Sequence, residues 1–310
     1  MERTITADRG DGGLRIDLVL RRHLAGAEAA TRTQLQAWIA EGRVRINGLI
    51  VHRVAARTMA GDVVTVTLPA MAERVVMEAE PLPLQILHED ADLLVLNKPT
   101  GIVVHPTYGH QTQTLMNGLL WLARDWPEGD RPSIVGRLDK QTSGLVVVAK
   151  RADVHATLQR SMASTGSEKQ YLAVVYGRPP EGPLTIDLKL ARDPKDRRRV
   201  VASSTEGSAS RTIVATIAAA EHDGDWVSLV RCRLLTGRMH QIRVHLAASG
   251  WPIAGDTKYG RPMAGIERQA LHACRVSMPH PSTGLRLTID APLPPDIQGI
   301  VDTRLGPVSL

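Results

Sequence analysis

The sequence contains no phenylalanine, and its aromatic residues make up only 3% of 310 residues. Aliphatic side chains must therefore fill the hydrophobic cores, and few rings are available to stack on bases. The two cysteines, Cys232 and Cys274, form no closely spaced pair, which excludes a disulfide framework and favours a reducing compartment. No apolar run approaches the roughly 18 residues of a membrane-spanning helix, and the N-terminus lacks a signal-peptide core. We expect a cytoplasmic protein with no membrane contact.

The overall composition is that of a globular protein with a basic surface. Apolar residues make up 43% and charged residues 23% of a chain long enough for two domains. The 38 lysines and arginines exceed the 32 acidic residues by six. A net charge of this sign suggests a polyanionic partner, but the excess is too small to establish one alone.

Two regions of different pattern flank a proline-containing linker. Residues 12–72 predict a small α+β module: a helix near residues 14–24, a second helix that begins at Thr31, and short strands with an Asn47-Gly48 hairpin turn. Residues 73–85 form the linker. Residues 86–300 contain many β-rich runs and fewer helices, the best of them at 114–123, 152–162 and 240–249. Strands that do not alternate with helices favour an α+β fold with a mixed, largely antiparallel central sheet.

The most informative segment is Gly136 to Lys150, in which a polar turn holds one carboxylate and leads directly into an apolar strand. Asp139 is thereby predicted on a loop anchored by the sheet, a common place for reactive groups. An isolated aspartate beside Thr-Ser-Gly is more often an ordinary turn residue, so the segment by itself does not establish catalysis.

The neighbouring motifs give this aspartate a context. In order along the chain they include NKPTGIVVHP at 97–106, GRLDKQTSG at 136–144, KQYLAVVYG at 169–177, LTGRMHQIRVH at 235–245, PIAGDTKYG at 252–260 and LHA at 271–273. Together they resemble the RluA/RluD-type pseudouridine synthases over most of residues 86–290. The resemblance implies an enzyme that cleaves the bond between uracil N1 and ribose C1′, rotates the base and rejoins it through C5.

The resemblance also implies roles for individual residues. Asp139 would be the essential carboxylate, acting as a nucleophile or removing a sugar proton, and both routes stay open. Arg243 would pair with Asp139, and Tyr171 would lie against the uracil ring and handle the C5 proton. The family reaction needs neither an organic cofactor nor a metal. Zinc binding by the histidines, among them His240 and His245, is disfavoured because no cysteine pair supports it.

Four further residues are predicted to bind the substrate. Because a base cannot rotate within a stack, the target nucleotide must flip out, and Arg137 would fill the space that it leaves. Leu271 would line the uracil pocket, although an apolar residue there would serve equally well as core. Leu138 and Thr142, in the turn that holds Asp139, complete this set.

The sequence departs from the family pattern beside the aspartate. The family commonly has histidine before Arg-Leu-Asp, whereas this chain has Gly136. Met278 also stands where a phenylalanine is usual. Since Asp139, Tyr171 and Arg243 are all present, we expect altered contacts around the site and retained activity.

The N-terminal module resembles the S4 RNA-binding domain, which presents a basic helix face to folded RNA. Arg15, Arg32 and Arg43 are the predicted contacts, because guanidinium groups suit phosphate oxygens. The basic segment 189–199 is interpreted as an RNA-contacting loop, with a merely solvated loop as the alternative.

The predicted partner is large-subunit ribosomal RNA, which the protein could meet as a monomer within an assembling ribosomal particle. The S4-like module favours this substrate over transfer RNA, the nearest alternative. A non-catalytic RNA-binding factor for ribosome assembly is a third hypothesis, disfavoured because no predicted catalytic residue is missing.

Overall fold

The computed structural model describes residues 2–24, 30–68, 77–107, 109–196, 198–222 and 224–308. The chain divides into two compact units, Met1–Val76 and Met77–Leu310. The division lies within the predicted linker, residues 73–85, of which residues 73–76 are outside the described residues.

In the part of the first unit that the structure describes, two helices combine with a four-stranded antiparallel sheet, in the order β1-β4-β2-β3. The helices are α1 (Ile16–His23) and α2 (Arg32–Ala40), and the strands are β1 (Glu2–Thr6), β2 (Val44–Ile46), β3 (Leu49–Ile50) and β4 (Val63–Thr67).

The helix N-cap and the hairpin turn that the sequence predicted in this unit are both present. Thr31 caps α2 through a capping box with Gln34, which satisfies amide groups that the first helical turn leaves open. Asn47 and Gly48 both have positive φ, 50° and 82°, as a tight turn between two strands requires. Strand β1 was not predicted, since its sequence ERTIT carries little apolar character.

Within the described residues, the second unit is built on one large sheet with four α-helices. The helices are α3 (Leu115–Leu122), α4 (Ala152–Ala163), α5 (Gln241–Ala248) and α6 (Pro295–Arg304), with a short 3-10 helix at Ala123–Asp125. The strands are β5 (Gln85–Glu89), β6 (Leu93–Lys98), β7 (Ser133–Val135), β8 (Ser143–Ala149), β9 (Glu168–Tyr176), β10 (Leu184–Arg192), β11 (Val200–Ser203), β12 (Ser208–His222), β13 (Asp225–Leu234), β14 (Leu271–Pro279) and β15 (Arg286–Asp290).

The eleven strands follow the order β11-β10-β12-β13-β9-β14-β8-β6-β5, with β15 beside β14 and β7 beside β8. All of the named strand pairs are antiparallel except β14 with β8, which run parallel. The predicted mixed, largely antiparallel sheet is therefore confirmed. Helix α6 was not predicted.

Strands β6 and β8 are apolar on both faces because helices cover both. One face of this part of the sheet packs with Leu158 of α4, and the other packs with Leu115 and Leu119 of α3. A third core joins α5 and α6 to strands β9, β13 and β14. Aliphatic side chains dominate all three, as a chain without phenylalanine requires.

The parallel contact between β8 and β14 is short and close. Ser143 pairs with His272 and Gly144 with Ala273. A Cβ atom at Gly144 would lie 2.2 Å from the Ala273 carbonyl oxygen, and the φ of Gly144 is +111°. Only glycine fits both conditions. The contact places the start of β14 beside the strand that follows Asp139.

Candidate active site

A cleft of about 840 Å³ opens along the second unit where β9, β14 and the turn before β8 meet. Seven of the predicted site residues line it: Arg137, Leu138, Asp139, Thr142, Tyr171, Arg243 and Leu271. They come from four separate parts of the chain and are brought together by the strand order. Further basic side chains at the wall, from Lys169, Arg192, Arg238 and Arg275, suit the cleft to a polyanion.

Asp139 lies in the polar turn before β8 with 21% of its side chain exposed. Its Oδ2 accepts a hydrogen bond of 2.8 Å from Arg243 Nη1. Among the described residues, no donor to the other oxygen, Oδ1, is found. One oxygen of the carboxylate is therefore held by the protein, and the other is free to meet a substrate.

Arg243 is fixed from behind by a carboxylate that the sequence reasoning missed. Its Nε and Nη2 donate to Asp256 at 2.7 and 2.8 Å, which leaves Nη1 for Asp139. Although burial opposes the charge, the bonds to Asp256 and the nearby Asp139 raise the pKa of Arg243 above its usual value. Asp256 also accepts the amides of Lys258 and Tyr259, at 2.9 and 3.1 Å. A planar guanidinium can serve two carboxylates in this way because its donors form a rigid fork.

Two more side chains that were not predicted surround this pair. Tyr259 packs its ring against the Arg243 guanidinium, 5.1 Å from carbon to ring centre. His240 lies edge-on to Tyr259, and its Nε2 is 3.8 Å from Asp139 Oδ2. Both residues fall inside the sequence motifs at 235–245 and 252–260, but their types alone do not reveal which neighbour each one serves.

Lys98, from the motif at 97–106, supports the turn of Asp139. It is 1% exposed, and its Nζ donates to the carbonyls of Pro99, Ile102 and Lys140 at 2.8, 3.1 and 3.2 Å. Burial, with the charge of Arg268, lowers the pKa of Lys98 to about 7, against the opposing effect of Asp139. The end of β6 is thus tied to the residue that follows Asp139.

Tyr171 lies on β9 opposite Ala273 of β14, in the same wall as Leu271. Burial and then the charge of Asp139 raise the pKa of Tyr171 above its usual value, so the phenol stays protonated near neutral pH. Its hydroxyl forms no hydrogen bond with the rest of the described chain, which leaves it available in the cleft.

Thr142 and Leu138 contact the protein as well as the cleft. Thr142 is buried, and its hydroxyl accepts a 3.1 Å hydrogen bond from Gln269 Nε2. Leu138 packs on the core beneath α3. These contacts shape the turn that carries Asp139.

Gly136, where the family commonly has histidine, has φ of +87°, and nothing lies within 4 Å of the position that a Cβ would take. A side chain there would be strained by the backbone and would meet open space. This conformation gives a physical reason for glycine at the position. The exposed Arg137 follows it at the mouth of the cleft.

The basic segment 189–199 is not a single loop, contrary to the prediction. Its residues up to Arg192 belong to β10, and the described residues 193–196 and 198–199 lie between β10 and β11, because the apolar residues Leu190 and Val200 are buried on these paired strands. Arg197 lies outside the described residues. The segment is therefore a β-hairpin, defined here as residues 184–203 and called the basic hairpin below.

In the first unit, the predicted RNA-contacting arginines make ion pairs within the unit. Arg15 and Arg32 both face the buried Asp17, at 2.9 and 3.8 Å, so they share one surface. Arg43 instead pairs with Glu41 at 2.6 Å. All three remain exposed enough to reach a phosphate while they keep these contacts.

Of the described residues, one group of side chains has metal-ligand spacing. Asp8, Asp11 and His23 bring ligand atoms within 4.8 Å of one another. Arg22 already donates to both carboxylates, at 3.2 and 2.9 Å, and His23 bonds to Asp11 at 2.7 Å. The group lies in the first unit and includes none of the residues that line the cleft.

The comparisons with known proteins agree with the fold. The family model for RNA pseudouridylate synthase matches residues 92–248. The chain belongs to this family and is an RNA pseudouridine synthase, an isomerase.

Similar proteins match nearly the whole chain. An uncharacterised RNA pseudouridine synthase of Bacillus subtilis is 41% identical over 303 residues, which span 96% of each chain. The ribosomal large subunit pseudouridine synthase D of Vibrio vulnificus is 35% identical over 98% of this chain and 94% of its own. The structure of human RNA pseudouridylate synthase domain containing 1 is 27% identical, with a TM-score of 0.55 over 69% of this chain and 85% of its own. In the part of the chain that the structure describes, no helix is long and apolar enough to span a membrane.

Proposed function

We propose that this enzyme isomerises specific uridines of large-subunit ribosomal RNA and that Asp139 is its essential carboxylate. The observation that carries the proposal is the position of Asp139 in the cleft, where Arg243 holds one carboxylate oxygen at 2.8 Å and leaves the other free. A reactive carboxylate must be both charged and accessible, and this arrangement provides a cation beside it and an open oxygen.

The reaction needs the base to leave the helical stack, detach and turn. The bond from N1 to C1′ breaks, a bond from C5 to C1′ forms, N1 gains a proton and C5 loses one, so the overall composition is unchanged. Asp139 acts through its free oxygen, as a nucleophile or as the acceptor of a sugar proton. Arg243 stabilises the carboxylate charge, and the Asp256 pair keeps the guanidinium in place.

The remaining cleft residues hold the flipped nucleotide. Tyr171, protonated and without an internal hydrogen bond, lies against the uracil ring and takes part in transfer of the C5 proton. Leu271 lines the uracil pocket in the same wall as Tyr171, Leu138 and Thr142 shape the turn, and Arg137 enters the RNA where the base has left.

The first unit adds affinity as an S4-like RNA-binding module. The shared surface of Arg15 and Arg32 and the separate Arg43 contact phosphates. Ribosomal RNA is favoured over transfer RNA because a relative that matches 98% of this chain is named as a ribosomal large subunit enzyme. We propose that the protein acts as a monomer in the cytoplasm, on free RNA or on an assembling particle.

The test maps pseudouridines in total RNA from a strain that lacks the gene. We expect defined large-subunit positions to lose pseudouridine, the wild-type gene to restore them, and Asp139→Ala to restore none. Asp153→Ala is the matched control, because Asp153 lies on α4 with 72% of its side chain exposed and should restore every position.

Three results would contradict parts of the proposal. Loss of pseudouridine from transfer RNA alone would refute the ribosomal substrate. Full restoration by Asp139→Ala would refute the assignment of the carboxylate. An unchanged map in every class of RNA would favour a non-catalytic role in ribosome assembly.

A further inference from the structure

A chain of polar contacts leads from the basic hairpin to Asp139. The amide of Val200, the first residue of β11, donates to the Tyr259 hydroxyl oxygen at 2.8 Å. The same hydroxyl lies 2.9 Å from Nδ1 of His240. The opposite ring nitrogen of His240, Nε2, faces Asp139 Oδ2 at 3.8 Å.

These contacts favour one tautomer of His240. The Tyr259 oxygen already accepts the Val200 amide, and its own proton points best at Nδ1, which then acts as the acceptor. A neutral imidazole with Nδ1 as acceptor carries its hydrogen on Nε2. His240 therefore directs an N–H group toward the oxygen of Asp139 that also receives Arg243.

The surroundings of His240 keep the ring neutral. Burial lowers the pKa of His240, and the charges of Arg243 and Lys258 act in the same direction. Asp139 and Asp256 oppose them. Arg199, on the basic hairpin, lies 5.3 Å from the centre of the Tyr259 ring and adds positive charge nearby.

The backbone of His240 is consistent with a role in the site. It has φ of 55°, a left-handed conformation that residues other than glycine seldom adopt. His240 precedes α5, but its side chain does not cap that helix. Such strain persists only where the surroundings hold it, and here Tyr259 and the Asp139–Arg243 pair surround the ring.

We propose that the Tyr259 hydroxyl is a positioning group for the reaction, which holds His240 with Nε2–H directed at Asp139 Oδ2. This inference rests on the proposed role of Asp139. With Arg243 and His240 both on Oδ2, Oδ1 is the oxygen that reacts. The distance of 3.8 Å is too long for a hydrogen bond in the free enzyme, and the proposal requires this contact to shorten in the substrate complex.

The experiment compares Tyr259→Phe with the wild type on large-subunit RNA from the deletion strain, carrying tritium at uridine C5. Release of tritium under single-turnover conditions reports the formation of pseudouridine. Tyr259→Phe keeps the ring on Arg243 and removes only the hydroxyl. We expect the rate constant to fall about tenfold, the effect of losing the one hydrogen bond that positions His240, with RNA affinity within about twofold of the wild type.

Tyr176→Phe is the matched control. It makes the same chemical change on β9, where the hydroxyl donates to the Pro262 carbonyl away from the cleft residues, and it should keep the wild-type rate.

A double-mutant cycle tests whether Tyr259 acts through His240. In a His240→Ala background, Tyr259→Phe should have no further effect on the rate, because the hydroxyl has lost the ring that it positions. His240→Gln, which retains an amide N–H, should be faster than His240→Ala.

Several outcomes would overturn the inference. A rate constant for Tyr259→Phe above half of the wild-type value would overturn it. So would a Tyr259→Phe substitution that lowers the rate constant by the same factor in the wild type and in the His240→Ala background. If Tyr259→Phe does not fold, equal rates for His240→Gln and His240→Ala would refute the role of the Nε2–H group. Wild-type activity in Asp139→Ala refutes the proposed function separately, since the cycle does not use that variant.

Discussion

Replacement of Asp256 by asparagine tests whether a buried ion pair maintains the site. Asp256 is 0% exposed, and Arg243 is 5% exposed. The change leaves the buried Arg243 guanidinium with one carboxylate partner, Asp139, instead of two. The asparagine side chain also has only one oxygen that can accept hydrogen bonds, whereas the Asp256 carboxylate accepts the amides of Lys258 and Tyr259 as well as the guanidinium. Breaking one side of such a pair costs about 3–5 kcal/mol. We expect the free energy of unfolding to fall by that amount and the reaction rate to fall at least about tenfold.

Urea denaturation at pH 7 measures the stability, and tritium release measures the rate. Asp153→Asn is the control, since it removes a carboxylate that pairs with Arg151 in solvent, and it should change neither quantity.

The pH dependence of this variant supplies an independent check. Although burial opposes ionisation, the bonds from Arg243 lower the pKa of Asp256 below its usual value. The charged Asp256 therefore stabilises the folded protein above about pH 4, the pKa of an aspartate in the unfolded chain. This stabilisation is lost as the pH falls through the lower pKa of Asp256 in the native protein. The difference between wild type and variant should shrink in acid. A stability loss below about 1 kcal/mol at pH 7 would refute the reasoning.

Two further predictions concern buried polar contacts. Lys98→Met removes three hydrogen bonds around the Asp139 turn and should slow tritium release about tenfold. Because the pKa of Lys98 is about 7 in the native protein and higher in the unfolded chain, the wild type should gain stability against urea as the pH rises from 7 to 9, and the variant should not. Against the effect of burial, bonds from the Leu93 amide and from His88 and His280 lower the pKa of Asp90 to about 2. Asp90→Asn should therefore cost about 2 kcal/mol at pH 7, a difference that disappears as the pH falls from about 4 to 2. Equal acid unfolding curves for Asp90→Asn and wild type would contradict the second prediction.

Local features of the fold could be predicted because their causes lie within a few residues. The capping box at Thr31 and the turn at Asn47 and Gly48 depend only on adjacent side chains and backbone angles. The apolar run after Asp139 predicted a strand, and β8 is apolar on both faces because helices cover both. Strand β1 was missed because its pairing with β4, across about sixty residues of chain, compensates for a polar sequence.

The contacts between residues of the site were harder to predict from the sequence than the identity of those residues. Asp139 and Arg243 are 104 residues apart, and only the resemblance to a family joined them in advance. Asp256, Tyr259 and His240 were visible as letters of two motifs, yet their roles depend on which atoms face one another after folding. Residue type and spacing carry no information on a ring tautomer or on which oxygen of a carboxylate is occupied.

The close contact between β8 and β14 depends on the absence of a Cβ atom at Gly144. Strand β8 follows the turn of Asp139, and β14 begins at Leu271, so the two strands carry opposite sides of the uracil site that we propose. Any side chain at residue 144 would clash with the Ala273 backbone, and the two strands would have to move apart. In the site that we propose, the spacing of these two strands is thus set by two backbones in contact, with no adjustable side chain between them.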